Sequence, residues 1–256
     1  MESLSLFSLA GRRALVTGSS RGIGMAIARA LAGAGADIVL NGRDQAALGA
    51  AAEKLAGEGA NVRAVAFDVT DRDSAIEAVA WIEAELGPVD ILVNNAGMQH
   101  RSPLETFPAD RFEAMMDLNI TSVFTMGQVV AQRMIPRGFG RIINICSLMS
   151  GLARPSIAPY AASKAAVANL TRGMAVDWAK HGINVNGIAP GYFKTELNAA
   201  LIADETFNSW VERRTPMGRW GELDELAGAA IFLASPASNF VNGHILYVDG
   251  AFTATV

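Results

Sequence analysis

Residues 12–35 read RRALVTGSSRGIGMAIARALAGAG, and this stretch restricts the fold more than any other. A short apolar run ends in glycine, turns through a glycine cluster, and continues at helical period to a glycine stop. The same alternation then runs down the chain. DIVLNG, NVRAVAFDV, VDILVNNAG, GRIINIC, INVNGIAPG and GHILYVDG read as further strands. The intervening segments read as helices, with Asp71 as the N-cap of the third and one long helix over 108–135. The strands are continuous apolar runs rather than alternating ones, so both of their faces are covered. The expected fold is therefore α/β: a doubly wound Rossmann fold with a seven-stranded parallel sheet and helices on both faces. No linker or repeat divides the chain, so residues 1–256 are taken as one domain. A (β/α)8 barrel is the competing architecture, but seven strands and a glycine-rich first turn speak against it.

Composition narrows the function. Apolar residues make up 51% and charged residues 18%, below the roughly 25% charge of an ordinary soluble domain. The surplus apolar surface belongs to a thick two-faced sheet or to an interface between subunits. A net charge of -4 argues against a nucleic-acid partner, which needs a basic stripe. No run approaches the ~18 apolar residues of a membrane span. The first residues lack the pattern of a signal peptide, so no membrane association and a cytoplasmic location are expected. One cysteine and three unclustered histidines leave no expected metal site.

The turn TGSSRGIG (17–24) follows a strand and opens a helix inside a βαβ unit. That context makes Gly18, Gly22 and Gly24 a cradle for a pyrophosphate at a helix start, although their spacing departs from G-x-G-x-x-G. Ser20, Arg21 and Ile23 share the turn and are counted with the cofactor residues. An acidic residue at the end of the second strand would hold a ribose 2′-hydroxyl. Asp37 lies at the wrong end of that strand, while Asn41 and Arg43 lie at the correct one. A guanidinium there suits a 2′-phosphate, so NADP(H) is favoured and NAD(H) remains usable. The alternative is a solvated Arg43 with Asp44 capping the next helix.

Tyr160 and Lys164 stand four apart and share a helix face. Ser147 ends the fifth strand, at the edge where this fold binds ligands. With TGSSRGIG, NNAG (94–97), Asn119 and YAASK (160–164) in order, the chain resembles the short-chain dehydrogenase/reductase family over about residues 8–251. The resemblance implies a catalytic set of Asn119, Ser147, Tyr160 and Lys164. Tyr160 is then the proton donor and acceptor. Lys164 lowers its pKa from the free value of about 10 and holds the nicotinamide ribose. Ser147 orients the substrate oxygen, and Asn119 supports a proton relay behind Lys164. The resemblance further implies adenine contacts from Asp68 and Val69, ribose and nicotinamide contacts from Asn95, Ala96 and Gly97, and carboxamide contacts from Pro190, Gly191 and Thr195. It also implies a homotetramer.

The loops resemble the branch of that family that interconverts D-gluconate and 5-keto-D-gluconate, which implies a small sugar acid or ketone as substrate. A sugar acid needs a cation for its carboxylate. MQHRSP after the fourth strand offers His100 and Arg101, and GLARPSIAPY offers Arg154. Ser147 and Tyr160 would meet the reacting oxygen. Residues 192–220 carry the fewest regular signals and are expected to form a substrate lid. Two other readings stay open: a 3-oxoacyl-carrier-protein reductase, and a non-catalytic NADP-binding sensor. The second has no need of Ser147, Tyr160 and Lys164.

Overall fold

The computed structural model describes residues 3–255. Among them seven parallel strands form one sheet: β1 (Arg13–Val16), β2 (Asp37–Gly42), β3 (Val62–Ala66), β4 (Ile91–Asn94), β5 (Gly140–Ile145), β6 (Ile183–Pro190) and β7 (Ile245–Val248). Their spatial order is β3-β2-β1-β4-β5-β6-β7. The sheet is open, which excludes the barrel. Its order reverses between β1 and β4, so the loops beyond their carboxyl ends diverge and leave a crevice there.

The helices are α1 (Gly22–Gly33), α2 (Gln45–Gly57), α3 (Arg72–Glu85), α4 (Ala109–Met116), α5 (Ser122–Met134), α6 (Ala158–Trp178), α7 (Ala199–Ala203), α8 (Glu205–Arg214) and α9 (Ala227–Ala234). Asp44 and Asp71 cap α2 and α3, each accepting two backbone N–H groups. Successive strand residues point to opposite faces, and the core divides accordingly. Ala14, Val16, Ile38, Leu40, Ile91, Val93 and Ile143 pack on the side of α1, α2 and α9. Leu15, Val39, Leu92 and Ile142 pack on the side of α3, α5 and α6. The central strands β4, β5 and β6 are buried at every residue, which is why they read as unbroken apolar runs.

Two segments differ from the sequence reading. The helix expected over 108–135 is interrupted by a π-helical turn, Asp117–Thr121, between α4 and α5. Asn119 lies in that turn, fully buried, and tertiary hydrogen bonds hold it there. The stretch 192–220 is more regular than expected, since it contains α7 and α8. Its ends are joined: Phe193 and Gly221 form an isolated parallel bridge, with Gly221 N–H donating to Tyr192 O at 2.8 Å and Lys194 N–H to Gly221 O at 2.9 Å. Among the described residues no helix is long and apolar enough to cross a membrane.

Candidate active site

The floor of the site is the glycine turn locked onto the segment after β4. The Asn95 side chain donates to Thr17 O at 2.9 Å and Gly18 O at 2.8 Å. The Asn95 and Ala96 N–H groups both donate to Thr17 Oγ1. The turn sits so close that a Cβ on Gly24 would lie 2.5 Å from both Asn95 Nδ2 and Gly18 O. Gly22 has a φ of +58° and open space around it, so its requirement is conformational. Deeper in the sheet, Asn94 donates to Asn144, Asn144 to Thr171, and Thr171 to Val167 O, at 2.8–2.9 Å. This buried chain ties β4 and β5 to α6.

α6 carries Tyr160 and Lys164, the residues to which the resemblance gives the proton transfer. Lys164 is 6% exposed, and its Nζ donates to Ile145 O at 2.7 Å. Asn119 accepts from Met98 N–H at 2.8 Å, donates to Met98 O at 3.0 Å and donates to Ser163 Oγ at 3.0 Å. Ser163 in turn donates to Tyr160 O at 2.8 Å. Ser147 caps the short turn Leu148–Ser150, and Ser150 Oγ donates to Lys164 O at 2.9 Å. The π turn, the end of β5 and the first turns of α6 are therefore fastened to one another. Tyr160 is half-buried, its ring packed against Leu148, Met149, Ile157, Ala161 and Phe252.

The electrostatics depart from expectation at Tyr160. Burial pushes its phenol above the ordinary value, and Ser147 only partly offsets this. Lys164 is not among the groups that shift it, and burial pulls the Lys164 ammonium down. Cys146, beside Ser147, packs among Val123, Val167 and Ala168, and burial raises its thiol to about 11.

Ser147, Tyr160 and Lys164, though not Asn119, line one cleft of about 610 Å³, within the range of about 300–1,000 Å³ common for small-molecule sites. The walls bring together Gly18, Arg21, Gly22, Ile23, Asn95 and Gly97 from the turn side, Ser147, Tyr160 and Lys164 from the α6 side, and Pro190, Gly191 and Thr195 beyond β6. Arg101 and Arg154 line it as well. Burial and the Arg154 charge both pull Arg101 down, so the two guanidiniums lie within electrostatic reach of each other. Among the described residues, four buried side-chain polar atoms lack a hydrogen-bond partner, and three of them, Arg154 Nε, Tyr192 Oη and Thr195 Oγ1, belong to residues of this cleft.

Other expected site residues lie off its wall. His100 stacks edge-on against Phe107 at 5.4 Å. Asn41 is buried and donates its amide to Val65 O and Phe67 O, so it braces β2 against β3. Ser20, Gly24, Asp68, Val69 and Ala96 also lie outside the lining. Arg43 is 76% exposed and 3.8 Å from Asp68. Burial raises the Asp68 carboxyl, but hydrogen bonds from Thr70 and the Arg43 charge outweigh it and the net shift is downward. Sequence reasoning missed Thr17, Ser150, Ser163 and Tyr192. Thr17 and Ser163 lie inside the quoted motifs TGSSRGIG and YAASK, and Tyr192 follows INVNGIAPG, but what their side chains meet depends on other segments.

Comparison with known proteins agrees with this geometry. A sequence profile for the family described as enoyl-(acyl carrier protein) reductase matches residues 18–253. The gluconate 5-dehydrogenase of Gluconobacter oxydans (strain 621H) is 55% identical over 256 residues, covering 100% of both chains. The 5-keto-D-gluconate 5-reductase of Escherichia coli (strain K12) is 50% identical over 251 residues, covering 98% of this chain and 99% of that protein. A crystal structure of a gluconate 5-dehydrogenase from Burkholderia cenocepacia J2315, in complex with NADP and tartrate, superposes with a TM-score of 0.97 at 54% identity, covering 100% of both chains. With its open parallel sheet, its locked glycine turn and Ser147, Tyr160 and Lys164 gathered in one cleft, the chain belongs to the short-chain dehydrogenase/reductase family of oxidoreductases.

Proposed function

We propose that the protein interconverts D-gluconate and 5-keto-D-gluconate with NADP(H) as the hydride carrier. The observation that carries this reading is the single cleft that joins Ser147, Tyr160 and Lys164 to two guanidiniums, Arg101 and Arg154. A ketone beside Tyr160 can then have its carboxylate on the arginines. The similarity to gluconate 5-dehydrogenases along the whole chain supports the same substrate.

The residues fit a dinucleotide. The turn behind α1 presents a glycine-lined helix start. Among the described residues Thr195 Oγ1 is buried without a partner, and Lys164 Nζ donates to Ile145 O and keeps further donor capacity. Gly18, Gly22, Ile23, Asn95, Gly97, Pro190, Gly191 and Thr195 would hold the cofactor's pyrophosphate and nicotinamide side. Arg43 and Arg21, both largely exposed, would meet a 2′-phosphate, which favours NADP(H) over NAD(H). When bound, the nicotinamide supplies or accepts the hydride.

In the reductive direction Tyr160 gives its hydroxyl proton to the carbonyl oxygen at C5. The O–H bond of the phenol breaks as that of the product alcohol forms. Ser147 Oγ aligns the same oxygen. Lys164, when protonated, offsets the charge of the phenolate left behind, and Asn119 holds the Met98 backbone. Residues 192–220 close over the substrate as a lid hinged at the Phe193–Gly221 bridge. We place the enzyme in the cytoplasm, where a reduced dinucleotide is available to it. We also read it as a homotetramer, on the half-exposed Phe112, Phe124 and Tyr247 and the largely exposed Val176.

The test is a spectrophotometric assay of NADPH consumption with 5-keto-D-gluconate, neutral ketoses and 3-oxoacyl thioesters. Turnover is expected to be fastest with 5-keto-D-gluconate and faster with NADPH than with NADH. Preferential use of the thioester would assign the site to acyl-chain reduction instead. Absence of turnover with every substrate would leave a binding role.

A further inference from the structure

We propose that Tyr192 selects polyhydroxy carboxylates: its hydroxyl hydrogen-bonds the substrate beside Arg154, and a cage of aromatic rings holds it at that point. This rests on the functional reading above and adds a residue that none of the sequence motifs marks.

Tyr192 follows the Pro190–Gly191 end of β6 and lines the cleft. Its carbonyl accepts from Gly221 N–H at the base of the 192–220 segment, which fixes the backbone. Its ring meets Phe207, Trp210, Trp220 and Phe252 with centroids 5.4–5.9 Å apart. Trp220 is itself pinned by its Nε1 donating to Asn208 Oδ1 at 2.7 Å. Four aromatic neighbours are an environment in which phenylalanine would pack as well, so packing does not account for the hydroxyl. That hydroxyl is buried and lacks a hydrogen-bond partner among the described residues. Buried polar groups are rarely left in that state.

The surroundings say what it meets. The Arg154 guanidinium lies over Phe207 at 5.0 Å and close enough to the phenol to pull against its upward shift, and its own Nε has no partner among the described residues. Arg101 lies within electrostatic reach of both. Two like charges and a neutral donor facing one space are relieved by an anion that also carries oxygens to accept from the phenol. Burial pushes the Tyr192 phenol up, which keeps it a donor at neutral pH. Tyr160 also lies within electrostatic reach of the Tyr192 phenol, which places the donor near the reacting group. A carboxylate flanked by hydroxyls on one short carbon chain suits this set, whereas a fatty acyl chain does not.

The experiment is Tyr192→Phe, which keeps the ring in its cage. Calorimetry on the NADPH-loaded protein, a dead-end pairing in which D-gluconate is not oxidised, should show D-gluconate affinity falling about 10- to 100-fold, the loss expected for one hydrogen bond to a charged group. The KM for 5-keto-D-gluconate should rise by a similar factor, with kcat within about twofold, as for loss of uniform binding. The preference in kcat/KM for 5-keto-D-gluconate over a neutral ketohexose should narrow in step, with the NADPH affinity and the thermal midpoint unchanged. Equal D-gluconate affinity in wild type and variant overturns the assignment. A matching loss of NADPH affinity also overturns it, because the hydroxyl would then serve the cofactor. A wild type that binds D-gluconate yet does not reduce 5-keto-D-gluconate defeats the functional reading alone, and the affinity comparison still judges Tyr192. A wild type that does not bind D-gluconate defeats both.

Discussion

Tyr160 holds its proton more firmly than a free tyrosine, because burial outweighs the help from Ser147. The sign of the pH dependence follows. Reduction needs the protonated phenol, so kcat/KM in that direction should stay level through neutrality and fall as pH rises through the raised pKa. Oxidation needs the phenolate and should speed up over the same interval. Paired pH profiles check this, and a reductive rate already falling at neutral pH would contradict it. Tyr160→Phe should lower kcat by about 10²- to 10⁴-fold, the usual contribution of a positioned acid or base, with NADPH affinity unchanged on titration. At this scale the site was partly legible. Ser147, Tyr160 and Lys164 could be read from spacing and resemblance. The direction of the Tyr160 shift could not, since it depends on burial against a cluster that brings Phe252 to Leu148 and Ile157.

The unit β1–turn–α1 works only with the segment after β4 docked on it. Gly24→Ala would drive a Cβ into Asn95 Nδ2 and Gly18 O, both committed to hydrogen bonds or backbone. Overpacking of this kind costs about 1–3 kcal/mol. Denaturant unfolding should show that loss, and titration should show weaker NADPH binding because the turn has moved. Unaltered stability would mean that the segment yields freely. The caps Asp44 and Asp71 were readable because they act on N–H groups two and three residues away. The π turn at Asn119 was not. Its apolar period runs on as in an ordinary helix, and the bonds that hold it reach to Met98 and Ser163.

For the whole molecule, Phe124 and Val176 leave apolar surface on α5 and α6. Phe124→Glu combined with Val176→Glu should yield a smaller species in light scattering, since a buried like-charge pair opposes association. An unchanged mass would place the interface elsewhere. The sequence by itself determined the alternation of strands and helices, the two-faced burial of the sheet, the glycine turn and the order of Ser147, Tyr160 and Lys164 along the chain. Each of these depends on near neighbours or on a period of two or 3.6 along the chain. Only the tertiary structure decided that Asn41 faces inward to Val65 and Phe67, that His100 turns to Phe107, and that Tyr192 stands near Arg154 with no hydrogen-bond partner for its hydroxyl among the described residues. Those outcomes depend on which side chains from distant segments converge on one space, and spacing along the chain carries no record of that.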